Sequence, residues 1–204
     1  MNILHLDSSI LGDHSVSRTL SAGIVAKLTT AAPDATVVYR DLAADPIAHL
    51  SGAYLAAAAK PDDVPSAALQ ADLATGTETL QELFAADVIV IGVGFYNFTI
   101  PSQLKAWLDR ILVAGKTFRY DANGKVEGLA GGKRAFLAIA RGAIYAEGSP
   151  YASFEHAETY LRATLGFIGI RDIEVIAADG IAYGPDQRAA AIATAQDKIA
   201  ALAA

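Results

Sequence analysis

Short apolar runs alternate along the chain with longer stretches whose apolar residues recur at helical spacing. "NILHL" (2–6), "TVVYR" (36–40), "VIVIGVG" (88–94), "RAFLAIAR" (134–141) and "IEVIAA" (173–178) are short, rich in β-branched residues and bounded by turn formers, and are predicted as strands. Helices are predicted from about Ser15 to Thr30, from Ser66 to Ala85 and from Ser153 to Leu165, with an Ala-rich helix closing the chain. A further helix starts at Pro101, whose missing N–H suits a first turn, and carries Leu104, Leu108, Ile111 and Leu112 on one side. Asp41 to Pro65 reads as irregular, with Pro46, Pro61 and Pro65 inside it and Pro33 just before. In "TFRYDANGKVEG" (117–128), Asn123-Gly124 between β-prone residues signals a hairpin.

Strands that are apolar on both faces and separated by helices imply a parallel sheet covered on both sides. Right-handed crossovers then give a doubly wound, three-layer α/β sandwich. No repeat, linker or low-complexity tail divides residues 1–204, so one domain is expected. Such sheets bind ligands beyond the carboxyl ends of their strands, near the point where the strand order reverses. Three segments fall at strand ends: "DSSILGDHSVS" (7–17), "GFYNFT" (94–99) and "ARGAIY" (140–145).

Composition narrows the chemistry. With 53% hydrophobic and 19% charged residues the chain has ample material for a core. A net charge of −6 argues against general affinity for nucleic acid or anionic membranes. Cysteine is absent, which excludes disulfides and thiolate chemistry and suits a reducing compartment. The opening "MNILHLDSSI" lacks the basic and long apolar regions of a signal peptide, and a charge-free membrane-length stretch is missing, so a cytoplasmic protein is expected. His5, His14, His49 and His156 show no metal-ligand spacing.

Ser8, Ser9, Ser15 and Ser17, with Gly12 for a turn, precede the first helix. Hydroxyls beside the free amides of a helix start make an anion cradle; the same serines equally suit a plain helix cap. Neither a Walker A sequence nor Gly-x-Gly-x-x-Gly occurs, so ATP and a dinucleotide in the Rossmann pose are disfavoured. Asp7 ends the first strand as in a phosphoacceptor site, but the third strand ends in Gly94-Phe95 rather than aspartate; Gly-x-Ser-x-Gly is missing too. A flavin with a ribityl phosphate would use both the serine loop and the aromatic run Phe95-Tyr96-Asn97-Phe98, which offers a flat wall and backbone amides. The alternative is that Phe95 and Phe98 simply fill a sheet-to-helix junction.

The stretch "VIVIGVGFYNFTIPSQLKAWLDRILVAGKTFRY" resembles the FMN-dependent NADH azoreductases, the flavodoxin-like quinone and azo reductases, with "RDLAADPI", "GFIGI" and "GIAYGP" as further landmarks. The resemblance covers nearly the whole chain and implies a five-stranded parallel sheet in the order 2-1-3-4-5. It implies FMN contacts at Ser9, Ser15, Val16 and Ser17 around the phosphate, at Phe95, Tyr96, Asn97 and Phe98 along the ring, and at Ala140, Arg141, Gly142 and Ala143 on its other edge. It also implies a ping-pong reaction in which NADH, then a quinone, azo or nitroaromatic acceptor, uses one open face. A homodimer with shared sites is implied as well, to which Tyr54, Leu55, Phe118, Tyr120 and Phe167 would contribute. Departures are plain. Ala140-Arg141-Gly142-Ala143 replaces the common Ser-Arg-Gly-Gly, Gly94-Phe95 replaces Pro-Met, and Tyr145, a candidate proton donor, stands where the family often has histidine. One lost hydroxyl contact would weaken FMN by about 0.5–1.5 kcal/mol.

Two readings from other classes compete. A flavodoxin-like electron carrier would bind FMN without turning over a substrate; a non-catalytic binding module would neither gain colour nor oxidise NADH.

Overall fold

The structure, a computed structural model, describes residues 1–60 and 66–203. Its strands are β1 (Asn2–Asp7), β2 (Thr36–Asp41), β3 (Val88–Gly94), β4 (Phe118–Tyr120), β5 (Val126–Gly128), β6 (Arg134–Arg141) and β7 (Asp172–Asp179). Its helices are α1 (Val16–Ala31), α2 (Gly52–Ala59), α3 (Ala67–Ala85), α4 (Ser102–Ile111), α5 (Glu158–Phe167) and α6 (Pro185–Ala200). One parallel sheet has the order β2-β1-β3-β6-β7, which is 2-1-3-4-5 when its strands alone are numbered, and β4 and β5 form a separate antiparallel hairpin. The chain is thus flavodoxin-like, as its sequence implies.

The sheet is covered on both faces because β3 and β6 are apolar toward each. Ile89, Ile91, Leu137 and Ile139 face the side packed by α3, α4 and α5, with Trp107 fully buried there. Val90, Phe136 and Ala138 face α1 and α6 through Leu20, Ile24 and Ile199. β2 departs from this pattern. It is an edge strand, and Val37 and Val38 remain 39% and 40% exposed, since only one neighbour and no full helix layer covers them.

Register sets the rim. Asp7 lies opposite Gly92, Gly94 opposite Ala140 and Arg141 opposite Asp179, so the carboxyl ends of β1, β3, β6 and β7 finish together. The order reverses between β1 and β3, where ligands of such sheets bind. A Cβ on Gly92 would meet Asp7 Oδ1 at 2.1 Å, so glycine makes room for that buried carboxylate. Asp7 accepts from Ser21 Oγ (2.7 Å) and Tyr39 Oη (3.2 Å), a structural anchor below the rim. Burial, followed by the Asp7 charge, pushes the Tyr39 phenol up to about 12.

Several boundaries differ from the expectations. Asp41 to Pro65 contains α2, capped by Ser51 Oγ accepting from the Tyr54 amide, because the alanine run outweighs the flanking prolines; residues 61–65 lie outside the described residues. The helix expected from Ser153 begins only at Glu158, after a 3₁₀ turn at Ala152–Phe154, and runs on to Phe167. Glu155 causes the delay: its carboxylate accepts from the Ala157, Glu158 and Thr159 amides and so fixes where α5 starts. Pro101 caps α4 rather than occupying its first turn. The hairpin expected around Asn123-Gly124 does form as β4–β5, closing through Asp121 to Lys125, with Asp121 Oδ1 accepting from the Asn123 and Lys125 amides and only Gly124 at positive φ. Gly169, at φ +100, passes so close to the base of this hairpin that a Cβ on Gly128 would stand 2.2 Å from its amide nitrogen.

Candidate flavin site

The serine loop is built as a helix start. Ser15 is the N-cap of α1, its Oγ accepting from the Arg18 amide at 3.3 Å and lying 3.1 Å from Ser17 Oγ. The amides of Val16 and Ser17 have no hydrogen-bond partner among the described residues. Two free donors and two buried hydroxyls at the positive end of a helix dipole form an anion cradle.

The aromatic run is a tight turn. Tyr96 and Thr99 exchange both backbone hydrogen bonds (3.1 Å each), with Asn97 at φ +48 and Phe98 at φ +72 between them. Two central residues in the left-handed region define a type I′ turn, normally Asn-Gly; a phenylalanine there is strained by about 1–2 kcal/mol. Two contacts hold it: Phe98 packs on Phe154 with ring centroids 5.1 Å apart, and its carbonyl accepts from the His156 amide at 3.0 Å. Tyr96 folds back so that its hydroxyl meets Ser9 Oγ at 2.8 Å, joining the two rim segments. That pose requires Gly94, where a Cβ would touch the ring at 2.8 Å. Phe95 packs against Tyr145 with tilted rings 4.6 Å apart, and burial raises the Tyr145 phenol above its ordinary value, so Oη keeps its proton at neutral pH.

These segments enclose one cavity of about 240 Å³. Of the residues expected from the sequence, Ser9, Ser15, Val16, Ser17, Phe95, Tyr96, Ala140 and Gly142 line it. Asn97 and Phe98 are exposed on the adjoining turn, and Ala143 anchors the loop after β6, its carbonyl accepting from the Gly180 amide at 3.1 Å. The Arg141 side chain points elsewhere. It is buried against Glu155 (3.2 Å), Glu158 (2.9 Å) and Asp179 (3.2 Å), so only its backbone remains for a ligand. Arg18 is likewise committed to Asp41, which it holds below the ordinary carboxylate range.

The expected partner-subunit residues are apart from this cavity. Tyr54 lies under the Arg110 guanidinium at 3.7 Å and over Gly76 of α3, whereas its neighbour Leu55 is 56% exposed. Phe118 and Tyr120 of the hairpin form an aromatic cluster with Phe167 at the end of α5, and Tyr120 is 61% exposed. Leu11, His14, Ile181 and Ala182, which no motif marks as site residues, also line the cavity, as does Arg188. "GIAYGP" had marked their neighbourhood, but its place at the rim depends on long-range bonds: Ile181 and Ala182 donate to the Arg141 and Gly142 carbonyls. A second cavity of about 300 Å³, between β1, β2 and α3, is almost wholly apolar and offers no anion donors comparable to the serine loop.

Fold and cradle together define a flavodoxin-like protein, and the family model for the flavodoxin-like fold matches residues 1–203. The chain belongs to that family. It is 61% identical to an FMN-dependent NADH:quinone oxidoreductase of Xanthomonas campestris pv. campestris, over 99% of each chain. A protein of the same name from Methylocella silvestris is 55% identical over 98% of this chain and 97% of its own. Among solved structures, an azoreductase from Bacillus anthracis str. Sterne superposes with a TM-score of 0.87 at 29% identity, covering 98% and 97% of the two chains. An FMN-dependent NADH-azoreductase from B. anthracis str. Ames Ancestor, solved in complex with FMN, gives 0.86 at 25% identity over 98% of both.

Proposed function

We propose that this chain is an FMN-dependent NADH:quinone oxidoreductase that also reduces azo compounds, acting as one flavin-binding domain. The observation that carries the reading is the single cavity in which unpaired α1 amides and buried serine hydroxyls meet the Phe95–Phe98 turn.

The residues fit FMN. Val16 and Ser17 amides with Ser9, Ser15 and Ser17 hydroxyls suit a phosphate, and Gly94, Ala140 and Gly142 keep the entrance narrow but open. A cavity of about 240 Å³ is below the usual range for a whole cofactor, about 300–1,000 Å³. The ribityl phosphate would therefore be enclosed and the flat ring left on the rim against Phe95 and Tyr96, which bars the electron-carrier reading less than it favours a site open to flat substrates. FMN when bound supplies the two-electron chemistry between nicotinamide and acceptor. The protein's part is positioning: Phe95 and Tyr145 stiffen the wall, Asn97 and Phe98 present backbone amides, and Tyr145 Oη holds a proton near the mouth. NADH and the quinone, azo or nitroaromatic acceptor are read as taking turns at the same open face. A homodimer would bring Tyr120 and Leu55, exposed and remote from the chain's own cavity, to that face of the partner. Without cysteine, the chain suits the cytoplasm.

An absorbance titration tests this. Purified protein given FMN should retain flavin absorbance through desalting, lose it on adding NADH under nitrogen, and regain it with benzoquinone. Bound flavin that NADH leaves oxidised would indicate a carrier, and no retained flavin a binding module. Tyr145→Phe, which keeps the ring, should slow acceptor reduction by about 10²-fold if Oη donates the proton; an unchanged rate leaves that task to solvent.

A further inference from the structure

The cradle has hydroxyl and amide donors but must hold a phosphate carrying nearly two negative charges at neutral pH. Of the arginines near the rim, Arg18 is bound to Asp41 and Arg141 to three carboxylates. Arg188 differs. It lines the cavity together with Ser15 and Ser17, makes no ion pair among the described residues, and its Nη2 donates only a long bond to the His14 carbonyl at 3.3 Å. Its position is fixed by the backbone. Gly184 at φ +118 turns the chain into α6, Pro185 begins the helix, and the Arg188 amide donates to the Gly184 carbonyl at 3.0 Å. The preceding loop is pinned to the end of β6 by the Ile181 and Ala182 amides.

We infer that Arg188 is a phosphate ligand of the proposed FMN site, supplying the one permanent positive charge among the described residues that line it, and that it makes the site select FMN over riboflavin. This rests on the FMN reading above and deepens it. A guanidinium fits a phosphate's paired oxygens, and its chain lies on α6, so a residue near the C-terminus reads the same group as the loop after β1. The hydroxyls and amides orient the phosphate. Arg188 offsets its charge.

The test is titration of flavin-free protein with FMN and, separately, riboflavin, followed by flavin fluorescence, for wild type, Arg188→Gln and Arg188→Lys. Arg188→Gln should weaken FMN about tenfold or more while leaving riboflavin unchanged, with Arg188→Lys between. The FMN affinity of wild type should also fall more steeply with salt than that of the Gln variant. Equal weakening of both flavins, or none of either, would overturn the assignment. Arg188 is half-buried and unpaired, so thermal melts should be unchanged and a misfolded variant is recognised by its melt; in that event the Lys variant alone carries the comparison. Wild-type protein that binds no FMN would instead bring down the functional reading itself.

Discussion

Phe98 shows how one residue joins strain to function. Left-handed backbone costs a β-branched or bulky residue most and glycine least, so the turn at Asn97-Phe98 is held by its surroundings and not by its own preference. Such strain collects at binding sites because contacts elsewhere over-determine the conformation. Two variants that both delete the ring separate backbone from packing. Phe98→Gly and Phe98→Val lose the same Phe154 contact, but valine must still occupy φ +72. Urea denaturation should therefore find the Gly variant about 1–2 kcal/mol more stable than the Val variant. Equal stabilities would mean the turn relaxes and is not strained in the folded protein. The sequence displayed the aromatics openly. It did not display the turn, because Asn-Phe lacks the glycine that usually announces one.

At the level of elements, α5 depends on a carboxylate outside it. Burial alone would push Glu155 up, but the Glu158 and Thr159 amides and the Arg141 charge together hold it below its ordinary value of 4.5. A group whose folded pKa is depressed contributes stability that is complete above its unfolded pKa and is lost as pH falls through the folded one. Wild-type stability should accordingly decline as pH drops below about 4.5, in part through Glu155. Glu155→Gln should cost about 1–2 kcal/mol at neutral pH, from the weakened cap and charged bond, and should flatten that acid decline. Thermal melts from pH 7 down to pH 3 check both; a decline as steep as wild type would assign it to other carboxylates, such as Asp41. The same contact ties Phe154, and through it Phe98, to the sheet. The Arg141 side chain therefore shapes the rim from outside the cavity.

For the whole molecule, the cavity is walled by the serine loop and the aromatic turn of one chain, while Tyr120 of the hairpin and Leu55 lie exposed elsewhere. Tyrosine is enriched at protein–protein interfaces, which suits Tyr120 to a contact with a second copy. Sedimentation should give twice the 21.2 kDa chain mass. Tyr120→Ser should weaken that association or raise the KM for quinone while FMN affinity holds, since the hairpin does not line its own chain's cavity. A monomer with full quinone reductase activity would show that one chain suffices.

Apolar periodicity by itself determined the strands, most helices and the covered parallel sheet, because core burial rewards pattern over identity at each position. Motif spacing brought Ser9, Ser15, Ser17 and Phe95–Phe98 into view, since helix starts and strand ends are local features. What only the tertiary structure decided was which charges remain free. Arg18, Arg141 and Arg188 look alike along the chain, yet the first two are neutralised by Asp41 and by Glu155, Glu158 and Asp179, and only the third reaches the cavity unpaired. Pairing depends on residues up to 38 positions apart meeting across the sheet, and no local rule encodes a meeting that the crossovers create.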